Sequence, residues 1–441
     1  MSDWWTSVRK RKFLFPVCYG IMTPMLRTRI YPLSIVLLLV VVALPLVAIE
    51  KEPLAEYASR RARVAAEIKG GALILFGNPD SDLMKFKQEE NFYYLTGFNE
   101  PDATLVIDAT GDQPEEILFI KPRNPSQERW TGVTTSVGAE GQGTTGMKSV
   151  QVRNDLAATM ERIVQKGAKL FALSNDRRSM DQVRTFGAKD VQNAAPVIAG
   201  FRIRKSPTEV ALLEKTVKIT LAGHDAAART IAPGVWEYEV EAALEYEFRR
   251  RGAERPGFPS IVGSGPFSTV LHYNESTRQM QAGDLVVVDI GAEYGGYTGD
   301  VTRTYPVSGK FTPRQREIYQ IVLDAQKAAL ALVKPGVTFR QIHQAAFNHI
   351  SSKGYGADFI HSTNHHLGLY VHDVGDQRRP LEPGMVLTVE PGIYLEKEQL
   401  GVRIEDDVVV TENGYRMLSD FPKEIAEIEA LMARPSSGPP R

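Results

Sequence analysis

Gly283-Asp284-Leu285-Val286-Val287-Val288-Asp289-Ile290-Gly291 and, about 100 residues on, Gly384-Met385-Val386-Leu387-Thr388-Val389-Glu390-Pro391-Gly392 are two versions of one pattern. Each runs from a glycine through an unbroken apolar stretch to one carboxylate and a second glycine. Such a run predicts a strand buried on both faces. A carboxylate at the end of that strand is costly to bury without a counter-charge.

Both stretches continue into hairpins. After Asp289 comes the turn Tyr294-Gly295-Gly296-Tyr297, and Asp300 lies on the returning strand. With the hairpin centred near Gly295, Asp289 and Asp300 should sit roughly opposite each other on one side. After Glu390 a turn is expected at 396–399, and the strand returns through Val402-Arg403-Ile404-Glu405. Two matched hairpins thus supply four carboxylates.

The repeat reaches further out. Pro233-Gly234-Val235 opens a helix ending at Gly252, as Pro335-Gly336-Val337 opens one ending at Gly354. Val240, Ala243 and Phe248 correspond to Ile342, Ala345 and Ile350. His272 follows Val270-Leu271, and His372 follows Tyr370-Val371. A duplicated helix–helix–strand–hairpin unit implies a pseudo-two-fold axis on which matching groups converge.

Four converging carboxylates repel one another unless cations neutralise them. Two divalent ions balance them. Four of the chain's eight histidines fall in 361–372 (His361, His365, His366 and His372) and can add an imidazole. Oxygen-rich ligation with one imidazole suits Mn²⁺, Co²⁺, Fe²⁺ or Zn²⁺. Two such ions ~3.5–4 Å apart can share a bridging hydroxide, a nucleophile at neutral pH.

Composition sets the limits. The chain has 441 residues, enough for two or three domains, and is 43% hydrophobic and 24% charged, which excludes a disordered or multi-span membrane chain. Its net charge of −1 gives no basic field for nucleic acid. Its one cysteine, Cys18, excludes disulfide frameworks and cysteine-based metal sites. The charge is uneven. Residues 1–48 hold Arg9, Lys10, Arg11, Lys12, Arg27 and Arg29 against Asp3, while the remainder is net acidic.

The basic residues precede an uncharged stretch at 30–49, the layout of a secretory signal. Residues 1–24 are unusual for a signal and read as a start-site extension, with Met25 as the alternative start. Leu46 is bulky for a cut after Ala48, so an uncleaved membrane anchor or a buried helix stays open beside export to the periplasm or the medium.

Residues 50–203 alternate apolar runs at 72–76, 104–107 and 117–120 with turns, and show helical spacing at 152–165, predicting an α/β domain. Gly141-Gln142-Gly143-Thr144-Thr145-Gly146 spells GxGxxG, but no strand precedes it, so a flexible loop is expected. Ser206-Pro207-Thr208-Glu209 is a capping box opening a helix to about Thr230 and the second domain, 206–430. Residues 433–441 read as a flexible tail. Gly263-Ser264-Gly265 is not a serine-hydrolase elbow.

Through 54–428 the chain resembles the pita-bread metallopeptidases, the family of aminopeptidase P, prolidase, methionyl aminopeptidase and creatinase. The likeness implies an α/β creatinase-like N-terminal domain and an α+β pita-bread catalytic domain with an internal pseudo-two-fold repeat. It implies Asp289, Asp300, His365, Glu390 and Glu405 as metal ligands, with Glu390 also a proton shuttle. It places His272, His361, His372 and Tyr394 at the substrate, with Arg403 beside the ligands. The run Lys85 to Asp102 and the segment Lys121-Pro122-Arg123-Asn124-Pro125 to Gly132 are similar to the N-terminal domain of aminopeptidase P and human-type prolidase. Cleavage of the N-terminal X-Pro bond is therefore expected, with two divalent ions, Mn²⁺ first, also binding the free α-amino group. The alternatives are a prolidase confined to dipeptides and a non-catalytic peptide-binding member. A homo-oligomer (dimer or tetramer) is expected, with Trp130 a candidate contact. One departure is Asn364, where the family has Gly or Ser before the ligand histidine; its bulk should crowd the pocket.

Overall fold

The structure is a computed structural model describing residues 50–80 and 85–433. The export or anchor segment, Cys18 with it, and the tail beyond 433 lie outside the described residues. Among the described residues no helix is long and apolar enough to cross a membrane.

The first block is a mixed six-stranded sheet of β1 (Gly71–Phe76), β2 (Thr104–Asp108), β3 (Glu115–Ile120), β4 (Ser149–Val152), β5 (Lys169–Ala172) and β6 (Val191–Asn193), in the order β4-β3-β2-β1-β5-β6. Every residue of β1 is buried, because alternate side chains enter two different cores. Ala72, Ile74 and Phe76 meet Leu156, Met160 and Ile163 of the helix Leu156–Gln165. Leu73 and Leu75 join the larger core that continues into the second block.

The GxGxxG segment is a correction to the expected loop: it lies in a helix, Gly138–Thr145, ended by Gly146 in the left-handed conformation. Gly141 approaches the Ser136 carbonyl so closely that a Cβ would lie 2.0 Å from its oxygen. The glycines serve packing and capping there.

Ser206 caps the helix Pro207–Thr230, with Glu209 closing the box. That helix packs on Glu237–Arg250; in the second repeat Pro313–Leu330 packs on Phe339–Ser352. Gly252 and Gly354 follow the paired second helices with φ of 92° and 91°.

Strands β7 (Arg255–Pro256), β8 (Ile261–Ser264), β9 (Leu285–Ile290), β10 (Ala292–Tyr294), β11 (Tyr297–Thr298) and β12 (Val301–Pro306) belong to the first repeat. Strands β13 (Val386–Val389), β14 (Gly392–Leu395), β15 (Leu400–Arg403), β16 (Asp406–Val410) and β17 (Tyr415–Met417) belong to the second. In both repeats an antiparallel stalk, β9–β12 or β13–β16, extends into a smaller hairpin, β10–β11 or β14–β15. Gly295 and Gly296 both have positive φ and make the two-residue turn between Tyr294 and Tyr297.

The first register differs from expectation. Asp289 pairs with Thr302, two residues beyond Asp300. Asp289 and Asp300 are thus diagonal neighbours on one face, because a two-residue offset preserves the face. In the second hairpin Val389 pairs with Asp406, which sets Glu390 opposite Glu405. The stalks are tied together. Glu405 N–H donates to the Thr302 carbonyl (3.1 Å), Thr304 Oγ1 to the Arg403 carbonyl (2.9 Å), and buried Arg303 to the Glu405 carbonyl (2.6 Å) and Asp406 (2.8 Å).

Candidate metal centre

These ties bring the ends of both stalks to one cavity of about 580 Å³. Asp289, Asp300, His365, Glu390, Glu405, His272, His361, His372 and Arg403 all line it. Ligand atoms of Asp300, His365 and Glu405 lie within 4.8 Å of one another. His365 Nε2 stands 3.3 Å from Asp300 and 3.6 Å from Glu390.

The partners of these groups orient them. His365 Nδ1 lies 3.0 Å from the His366 carbonyl, which fixes the proton there and leaves Nε2 bare toward the carboxylates. Thr302 Oγ1 donates to Glu405 (2.6 Å), and Arg403 donates to Asp289 (2.7 Å). A second Arg403 nitrogen donates to the Tyr394 hydroxyl (2.9 Å), which in turn meets His361 Nε2 (2.8 Å). Tyr394 is buried behind His361 and Arg403 and is not among the cavity-lining residues.

Electrostatics single out the acids. Burial, then repulsion from Asp289, Asp407 and Glu390, holds the Asp300 carboxyl well above the usual carboxylate range. Burial and repulsion from Asp300 do the same to Glu405. Burial lifts Glu390 to about 7 against the pull of His365 and Arg403. Burial pushes His361 down to about 4, helped by the Arg403 charge. Buried Asp289 Oδ1 and Asp300 Oδ1 have no hydrogen-bond partner. Acids that repel, orphan oxygens and a bare imidazole nitrogen fit divalent cations: the missing charge and the missing partners are the same thing.

Sequence reasoning overlooked two groups. Thr302 supports Glu405, and Asp407 accepts from the Asp300 N–H (3.0 Å). Both share strand parity with a ligand candidate, which was the signal available. Asn364 is buried on the cavity wall, and its Nδ2 is without a partner. Trp130 is 89% exposed in the first block.

Residues 211–412 match metallopeptidase family M24, and residues 57–171 match the aminopeptidase P N-terminal domain. The chain is 36% identical over 429 residues to the Xaa-Pro aminopeptidase of Haemophilus influenzae, covering 87% of this chain and 98% of that protein. The chain belongs to metallopeptidase family M24. Another relative, Xaa-Pro aminopeptidase 3 of Homo sapiens, is 31% identical, with 86% of each chain covered. Among solved structures, zinc-substituted Escherichia coli aminopeptidase P in complex with product superposes with a TM-score of 0.82 at 32% identity, covering 87% of this chain and 99% of that one. Membership of M24 makes the chain a metallopeptidase, and the pita-bread architecture with its α/β N-terminal domain is the fold of that match.

Proposed function

We propose that this M24 peptidase is an Xaa-Pro aminopeptidase, releasing the first residue from peptides with proline in second position. The observation that carries this is the convergence of four carboxylates and His365 on one cavity, in a chain that also matches the aminopeptidase P N-terminal domain. Near-full-length relatives bearing the name Xaa-Pro aminopeptidase support it.

Asp289, Asp300, His365, Glu390 and Glu405 would hold two divalent ions, with Mn²⁺ favoured by the oxygen-rich donor set. Such ions, when bound, supply Lewis acidity and a water acidic enough to attack at neutral pH. The chain's own residues do the rest. An X-Pro bond is a tertiary amide with no N–H, so its nitrogen must gain a proton as the bond breaks. Glu390 lines the cavity, where its carboxylate can take a proton from water and return it to that nitrogen. His272, His361 and His372 line the cavity where they can hold the scissile carbonyl or a carboxylate and steady a tetrahedral oxyanion. Arg403 holds the Asp289 carboxylate by a direct hydrogen bond (2.7 Å) and, through Tyr394, keeps His361 in place.

Export by the basic, apolar N-terminal segment, or anchorage by it, is part of this reading, as is self-association through the face bearing Trp130. Metal-loaded enzyme assayed on X-Pro, X-Pro-Y and X-Pro-Y-Z tests the substrate class. The tri- and tetrapeptides should be cleaved at least as well as the dipeptide; activity on X-Pro alone would replace the aminopeptidase with a dipeptidase.

A further inference from the structure

His272 and His372 occupy related positions in the two repeats and share a local design. Each is an exposed histidine on the cavity wall followed by a buried residue. Tyr273 follows His272, and Asp373 follows His372. Each buried neighbour ends on a buried charge of opposite or accepting character.

Tyr273 donates its hydroxyl to Glu237 (2.8 Å), and its ring stacks on Phe267 with centroids 4.4 Å apart. Glu237 is wholly buried in the first turn of its helix and also accepts from Ser264 N–H (2.8 Å), Ser264 Oγ (2.6 Å) and Arg278 N–H (2.8 Å). One carboxylate thereby gathers both ends of the loop that carries His272. Asp373 is held by buried Arg202 and by buried Lys205 (3.0 Å), from the segment joining the two blocks. Its N–H donates to the His366 carbonyl (2.9 Å). Gly368 approaches it so closely that a Cβ would lie 2.1 Å from the carboxylate. Arg202 reaches on to Asn91 of the first block (2.7 Å).

The Asp373 N–H bond to the His366 carbonyl holds the planar peptide that Asp373 shares with His372, and anchoring the Tyr273 side chain restricts the backbone rotation available beside His272, so both loops narrow the direction in which the histidine leaves the backbone. The His372 ring stands edge-on to His365, with centroids 4.5 Å apart, so a small rotation of that plane moves it across the centre. We infer that Tyr273–Glu237 and Asp373–Arg202–Lys205 are positioning devices that aim His272 and His372 at the substrate. They are positioning residues, not catalytic ones. This rests on the proposed reading of both histidines as substrate-facing.

The test is a pair of double-mutant cycles on the metal-loaded full chain, reading kcat, KM and metal content with an X-Pro-Y tripeptide. Tyr273→Phe and Asp373→Asn should lower kcat/KM about 10- to 100-fold with unchanged metal content. Tyr273→Phe in the His272→Ala background, and Asp373→Asn in the His372→Ala background, should cost less than about threefold, because the group being aimed is gone. Losses that multiply in full in those backgrounds, or wild-type kinetics in Tyr273→Phe, would overturn the inference while leaving the site reading intact. Full activity in His272→Ala and His372→Ala would overturn the site reading and this inference with it. Should Asp373→Asn fail to fold, with two cations left buried, Tyr273→Phe decides alone, since Glu237 keeps three other donors.

Discussion

Without metal, burial brings the Glu390 carboxyl from an ordinary 4.5 to about 7, and with metal bound its carboxylate is placed to move a proton between water and the leaving nitrogen. In the metal-loaded enzyme Glu390→Gln should lower kcat by about 10²- to 10⁴-fold; steady-state assay on an X-Pro-Y peptide measures it, and retained turnover would remove Glu390 from the chemistry. The same residue has a consequence for stability. Its folded-state value lies above the unfolded one, so its contribution is fully present below pH ~4.5 and is lost as pH rises through 7. Without metal, Glu390→Gln should therefore raise Tm at pH 8 and change it much less at pH 5, read by thermal unfolding of the stripped protein. Equal shifts at both pH values would contradict the raised carboxyl. The four carboxylate candidates were legible because each ends a long apolar run or returns opposite one in a hairpin, and His365 because it lies in the histidine-dense run 361–372. The roles of Thr302 and Tyr394 were not, because both act through contacts between distant segments: Thr302 meets Glu405 across the two repeats.

The hairpins show how far a local pattern reaches at the level of elements. Turn glycines, the Pro-Gly-Val starts and the Ser206 capping box announced the helices they open and the duplicated stalks, because those signals are written within a few neighbouring residues. Register was less legible. The turn at Gly295-Gly296 sets Asp289 against Thr302 and makes Asp300 its diagonal neighbour, an offset of two that the apolar pattern alone does not distinguish. The helix Gly138–Thr145 was hidden for a related reason: three glycines and two threonines carry little helical preference, and it forms where Gly141 fits against Ser136. Gly291 is the element-level test. A Cβ there would lie 1.8 Å from the Gly299 carbonyl oxygen, between the strands that carry Asp289 and Asp300. Gly291→Ala should cost about 1–3 kcal/mol and lower metal content, measured by denaturant unfolding and elemental analysis. Gly143→Ala, with no heavy atom within 4 Å of the added Cβ, should be neutral or slightly stabilising.

One hydrophobic core runs through the described residues from Val64 in the first block to Leu431 at the end of the second. Buried charges reinforce the junction: Arg60 pairs with Glu52 and Glu209, and the Tyr297 hydroxyl lies between the two carboxyl groups, 3.0 Å from each. The two blocks should therefore unfold together, giving a single calorimetric transition; two separated transitions would mean that the shared core does not couple them. The boundary between the α/β and pita-bread blocks could be read in the sequence from the capping box at Ser206–Glu209, but their fusion into one core could not, since the Leu73 and Leu75 face of β1 is known only once its partners are placed. The central claim is that this joined molecule uses its dimetal-type centre on X-Pro bonds. It is tested most directly by adding Mn²⁺ to the stripped enzyme and following cleavage of X-Pro-Y against X-Ala-Y. Activity should appear as metal binds, approach its maximum near two ions per chain, and be confined to the proline peptide. Equal rates on both peptides, or full activity in the stripped enzyme, would contradict the account.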